Sequence, residues 1–223
     1  MTNIHANTLQ FLRDIAQNNQ RDWFNEHKDA YESAKQNMET FMQALMERLN
    51  ATDVIASYHL YRIYRDIRFS KDKTPYKTYF HAYLKREGAS RRGGYWVGIE
   101  PNHTQIGGGF YGPEKHDLQR VRMEFQAEPK RIQQILSDRR FVETFGSLQG
   151  DALKKAPKGF EPSDENIELI RMKQWYAMRA FSDKEVLAPD FLDKCVATFV
   201  NIRPFFDYMS EVLTTNLNGE SII

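Results

Sequence analysis

Near residue 58 the spacing of apolar side chains changes from the helical period to a period of two, and it keeps that period to about residue 110. Within this span Leu60–Ile67, Tyr79–Arg86, Tyr95–Glu100 and Thr104–Phe110 read as short strands, rich in aromatic and β-branched residues. Turn chemistry separates them: Lys73-Thr74-Pro75, then Gly88 to Gly93-Gly94, then Pro101-Asn102. The connections leave no room for a helical crossover, so consecutive strands have to pair antiparallel, as a meander.

Helical periodicity flanks this block. Asn7 is placed to cap a first helix carrying Leu9, Phe11, Leu12 and Ile15, and Asn18-Asn19-Gln20 breaks it. Asp22 then opens a long second helix that ends by Asn50. Helical patterns resume at 114–126, 129–146 and 163–171. Gln174–Ser182 reads as a fifth strand, and Pro189 precedes a long apolar helix that Pro204 should kink or split. The expected architecture is α+β: an antiparallel meander of four to five strands, covered by N- and C-terminal helices. One domain is expected over 1–223, with a helical start (1–57), a sheet with the basic motif (58–112) and a mostly helical remainder (113–223).

No window approaches the roughly 18 consecutive apolar residues of a membrane span. Residues 1–6 lack the basic and apolar regions of a secretory leader. Cys195 is the only cysteine, which excludes an internal disulfide and favours a reducing compartment. A cytoplasmic location is the expectation. The chain is almost neutral at +1, yet residues 58–94 carry a net +7 between a span of −3 (1–57) and one of −4 (183–223). A basic patch on a balanced chain fits a discrete anionic ligand better than wholesale binding of a polyanion. Alternatively, the acidic helical ends fold against the basic middle and cancel it.

The positive charge peaks between Arg62 and Lys77, where six cations and two carboxylates share one strand and its turn. Alternation places Arg65 on the same face as Tyr61, Ile63 and Ile67, the apolar side. A buried guanidinium needs a partner. Either Glu26, Glu32 or Glu39 supplies it, or Arg65 sits at the lip of a cleft where a bound anion does. Arg62 and Arg68 would stand about 20 Å apart along a strand, too far for one phosphate, whereas Lys85 or Arg86 could converge on the motif from the neighbouring strand. Ser70, Lys71, Lys73 and Lys77 fall at the turn, where binding groups are commonly mounted. The candidate ligand-binding set is therefore Arg65, Arg68, Ser70, Lys71, Lys73 and Lys77. Asp66 and Asp72 are the weak candidates for a general base or for ligands of a magnesium ion.

The string Arg65-Asp-Ile-Arg-Phe-Ser-Lys-Asp-Lys-Thr-Pro-Tyr-Lys77 resembles the signature of the bacterial and fungal family called domain of unknown function 2461. Asn18-Asn19 before Trp23-Phe24, Gly107-Gly108-Gly109 and Pro157-Lys158-Gly159-Phe160 agree with it. The resemblance covers nearly the whole chain and implies that the four stretches belong to one domain. It brings no assigned reaction with it, and the cofactors stay open.

Other signals are weaker. Gly107–Gly109 lacks the spacing of a phosphate loop and reads better as a bulge or a close strand approach. The six histidines show no paired ligand spacing, although His59, His81 and His103 lie on or beside strands. Cys195 falls on an apolar stripe, and Trp23 and Phe24 read as core anchors. Tyr64, Tyr76, Tyr79, Tyr83 and Tyr95 interleave with the cations, a mix that also suits stacking against single-stranded nucleic acid. Three readings follow: a site for a phosphate- or carboxylate-bearing small ligand, such as a nucleotide; a nucleic-acid-binding module; and an interaction protein whose cations pair internally. Whether the protein is an enzyme, and its oligomeric state, stay open.

Overall fold

The structure, a computed structural model, describes residues 2–223. Helix α1 (Ala6–Gln17) buries Leu9, Leu12 and Ile15. No side chain among the described residues caps its N-terminus, and Asn7 lies inside the helix. Buried Asn37 accepts from His5 N at 2.9 Å and from Thr8 Oγ1 at 2.8 Å, and donates to Asn3 O at 2.8 Å. The expected second helix is two, α2 (Arg21–Glu26) and α3 (Lys28–Leu49). The break falls at His27, whose ring stacks on Trp23 at 4.0 Å and whose Nδ1 bonds the Trp23 carbonyl at 2.8 Å, a local alternative to continuing the helix.

The sheet strands are β1 (Ile55–Leu60), β2 (Phe80–Arg86), β3 (Gly94–Ile99), β4 (Thr104–Phe110) and β5 (Trp175–Phe181). They pair antiparallel in sequence order, and the fold is α+β. The first strand lies earlier than alternation suggests. It ends at Leu60, and the basic stretch 62–77 is largely irregular. Pro75, opposite Arg65, has no N–H to give the ladder, and like charges crowd the segment.

Helices α4 (Lys115–Ala127), α5 (Pro129–Ser137), α6 (Arg139–Phe145) and α7 (Ile167–Arg171) separate β4 from β5. The expected 129–146 helix is interrupted because the Asp138 side chain accepts from Arg140 N at 2.9 Å and starts a new one. After β5, Ser182 and Glu185 form a reciprocal capping box that opens α8 (Asp183–Val186). The last helix, α9 (Phe191–Thr214), runs through Pro204 without splitting. The carbonyl that Pro204 leaves without a donor belongs to exposed Val200, where water can serve it. Buried Ile202, Phe205 and Phe206 hold the opposite side.

The chain divides into two compact units. The first comprises the residues up to Leu84 with Trp96–Ile106 and Ala180–Ala197. The second comprises Lys85–Tyr95, Gly107–Arg179 and Thr198–Ile223. In the first, Phe80 on the inner face of β2 packs against Phe11 of α1 and Tyr31 of α3. In the second, Tyr95 of β3 packs on Phe199 and Phe206 of α9. Gly107–Gly109 belongs to the second unit and is a close-approach segment. A Cβ on Gly107 would fall 2.0 Å from Ala177 O, and one on Gly108 would fall 2.4 Å from Gly94 O. Cys195 is buried. No helix among the described residues is long and apolar enough to cross a membrane.

Candidate functional site

Between β1 and β2 the two chain segments go on pairing without forming regular strand. Tyr61 N donates to His81 O at 3.0 Å, Lys77 N to Ile63 O at 2.8 Å, and Arg65 N to Pro75 O at 2.9 Å. Tyr64 and Tyr76 meet in an isolated antiparallel bridge. The basic motif is thus the distal half of a long hairpin, with residues 66–74 at its tip.

The hairpin has a defined footing. Ile63 and Tyr76 are buried, and Tyr76 stacks on Phe24 with ring centroids 4.1 Å apart. Asn19 gives both ends of its amide to Tyr76: Nδ2 donates to the carbonyl at 2.9 Å and Oδ1 accepts from the N–H at 3.1 Å. This geometry ties the Asn18-Asn19 and Trp23-Phe24 stretches to the basic string. Asn19 read only as a helix breaker, because a bond across 57 residues leaves no mark in local spacing.

At the tip the charges are largely paired with one another. Asp66 accepts from Arg68 Nε at 2.9 Å and Nη2 at 2.6 Å, and these bonds hold its carboxyl below the usual range. Asp72 accepts from Thr74 N at 3.0 Å and from Arg65 Nη1; the Thr74 backbone bond first, then the Arg65 bond, pulls its pKa down to about 2. Arg65 Nη1 also reaches the Thr74 carbonyl at 3.1 Å and the Thr74 hydroxyl. The partner of Arg65 is therefore a carboxylate of its own loop, not Glu26, Glu32 or Glu39. Lys73 Nζ donates to Ile67 O and Lys77 Nζ to Arg62 O, each at 2.9 Å. Both carboxylates are thus held as anions by bonds within their own loop.

Several donors remain. Arg65 Nε and Nη2, Ser70 Oγ and Lys71 Nζ make no hydrogen bond among the described residues. Between Arg68 and Lys71, Phe69 projects with 95% of its surface exposed, and the Arg68 guanidinium lies 5.9 Å from its ring centroid. The sequence signal for Phe69 was a single large apolar residue inside a run of charged and hydroxyl side chains. Arg86, read from the sequence as able to join the motif, has its partners elsewhere. Arg86 is buried in the second unit and bonds Asp207 at 2.8 Å.

Where the hairpin joins the sheet, an aromatic array crosses the outer face of the first unit. Tyr61 stacks on His81 at 4.4 Å and 11°, Tyr79 lies 5.4 Å from His81, and Trp96 lies 6.4 Å from it. Lys77 Nζ sits 5.9 Å from the Tyr61 centroid. Burial, followed by repulsion from Lys77 and His59, drives the His81 pKa down to about 4, and its buried Nδ1 has no partner among the described residues. Trp96 can lie flat because Gly98 follows it; a Cβ there would fall 2.0 Å from the indole. Of the tyrosines singled out above, Tyr64 is exposed, Tyr79 and Tyr83 are half-buried, and Tyr76 and Tyr95 are core residues. The Tyr95 hydroxyl accepts from Arg203 Nε at 2.6 Å. His59 and His81 flank Tyr61, whereas His103 pairs with Glu100 at 3.2 Å. No group of three or more His, Cys, Asp or Glu side chains placed to hold a metal ion occurs among the described residues.

The model of the family described as Conserved hypothetical protein (DUF2461) matches residues 7–208. That range takes in the hairpin, its footing, Gly107–Gly109 and Pro157–Phe160. No curated protein and no solved structure matches the chain.

Proposed function

We propose that this chain, which belongs to the conserved hypothetical protein family DUF2461, binds a phosphate- or carboxylate-bearing ligand on the tip of its basic hairpin. The carrying observation is that the tip is braced while still holding unused donors. Two ion pairs and two lysine–carbonyl bonds fix the loop, yet Lys71 Nζ, Ser70 Oγ and two donor nitrogens of Arg65 are free. Residues 62–77 keep a net +4 after Asp66 and Asp72 are counted. A loop ordered before binding loses less entropy when the ligand arrives. In this reading Lys71, Ser70 and the free Nε and Nη2 of Arg65 meet the anion first. Lys73 and Arg68, now held by Ile67 O and Asp66, turn part of their donors to it, while Lys77, Asp66 and Asp72 keep the tip in shape.

Exposed Phe69 extends the reading to ligands that join a phosphate to a flat ring, since one face of its ring is open to stacking. A nucleotide has both parts. Calorimetric titration with adenosine monophosphate tests this. Lys71→Ala with Lys73→Ala should weaken binding by about tenfold or more, and Phe69→Ala should weaken it less. Equal affinity of wild type and the double lysine variant would overturn the proposal.

The Tyr61–His81–Trp96 array favours a second reading, a single-stranded nucleic acid laid from tip to sheet. Salt separates the two. A strand neutralised at several phosphates loses affinity steeply as salt rises, whereas a mononucleotide responds weakly.

A further inference from the structure

The second unit carries a different concentration of positive charge, well separated in sequence from the hairpin. The chain at 151–154 runs antiparallel beside 171–173. Ala152 and Met172 form a bridge, Leu153 N donates to Arg171 O at 2.8 Å, and Lys173 N donates to Asp151 O at 2.7 Å. The turn Pro157-Lys158-Gly159-Phe160 connects this pairing to α7. Gly159 takes a φ of +90° that an L side chain would resist, Phe160 N bonds Pro157 O at 3.1 Å, and the Phe160 ring is buried as an anchor. Residues 154–156, Pro162 and the α7 residues Ile167, Glu168 and Arg171 line an open cleft of about 460 Å³, within the range of small-molecule sites. Its charged walls are Lys154, Lys155, Arg171 and Glu168, and Pro162 and Ile167 give it an apolar side.

The charges there are unbalanced. Arg171 is held by Nε to Leu153 O at 2.7 Å and by Nη1 to Glu168 at 3.0 Å. Lys154 and Lys155 make no hydrogen bond or ion pair among the described residues. One carboxylate thus faces three cations. Directly along the chain, Met172 O takes a 3.1 Å bond from Arg122 Nη2. Arg122 is only 7% exposed, its Nε has no partner, and it forms no ion pair among the described residues. A guanidinium stays charged when buried, so it adds uncompensated positive potential to the segment that forms the cleft wall.

We propose that this cleft is a second anion site, for a small ligand bearing a compact multiply charged group such as a phosphate ester, with Lys154, Lys155 and Arg171 as its contacts. The anion displaces part of the Glu168–Arg171 pair, and Pro162 and Ile167 receive the ligand's apolar part. The site does not depend on the hairpin reading.

Isothermal titration of the full chain with inorganic pyrophosphate tests it. Lys154→Ala with Lys155→Ala alters only exposed side chains and should weaken a saturable binding event by about tenfold or more. Glu168→Gln should tighten it about threefold by removing the competing carboxylate. Lys71→Ala with Lys73→Ala should leave this event unchanged, so failure here and failure at the hairpin are told apart. No saturable binding up to millimolar pyrophosphate would overturn the proposal. So would binding lost in the hairpin variant but retained when Lys154 and Lys155 are removed.

Discussion

His81 should make the stability of this protein fall as the solution is acidified through a defined range. Its pKa drops from the ordinary 6.5 to about 4, because burial in the Tyr61–Trp96 array disfavours the imidazolium and Lys77 and His59 repel it. The unfolded imidazole takes up its proton as pH falls through about 6.5, the folded one only near 4. The stabilisation is therefore complete above pH 6.5 and is lost progressively between there and pH 4. One pH unit is worth ~1.4 kcal/mol, which would give about 3 kcal/mol for the whole displacement. The ring is only half-buried, and solvent screening reduces this to about 1–2 kcal/mol. His81→Phe keeps a flat ring in the array, removes the titration and strands no hydrogen bond, since Nδ1 has no partner. Urea unfolding at pH 8, 6 and 4.5 should show wild type losing about 1–2 kcal/mol more than the variant across the range. Parallel pH dependences, or an NMR titration of His81 centred above pH 6, would refute the argument.

Three further outcomes are expected. Asn19→Ala leaves the partly buried N–H and C=O of Tyr76 without their bonds and should cost about 2 kcal/mol in chemical denaturation, with faster proteolysis within 62–77. Asp72→Ala removes the acceptor that ties Thr74 to Arg65 and should speed trypsin cleavage after Lys71 and Lys73 at neutral pH. Because its folded pKa is lowered to about 2, the wild-type tip should keep this bracing above about pH 4 and lose it as pH falls towards 2, read from the Thr74 amide resonance. Gly107→Ala puts a methyl 2.0 Å from Ala177 O and should destabilise by about 3 kcal/mol in thermal or urea melts.

What could be read from the sequence depended on how local the cause was. The meander was legible because alternation and turn residues are short-range, and β4 falls where Thr104–Phe110 placed it. The first strand was displaced because alternation persists through Ile63, Arg65 and Ile67, while the pairing is limited by Pro75 on the other side of the hairpin. The Ser182–Glu185 capping box is a local four-residue pattern of the same short-range kind. The cluster at 62–77 was legible as charge, but its internal pairing was not. Whether Arg65 meets Glu26, Asp72 or a ligand depends on how the loop folds back, and spacing along a presumed strand pointed elsewhere. Asn37 under α1 and Asn19 under Tyr76 act across long sequence separations, so neither could be assigned from its neighbours.

The central claim is that the hairpin tip is an ordered element with donors left for an anion. Amide chemical-shift mapping of the full chain with adenosine monophosphate, and separately with uncharged adenosine, tests it most directly. The account predicts saturable shifts for residues 68–74 with the monophosphate, much reduced with adenosine. A tip that does not respond to either, or that responds equally to both, would contradict it.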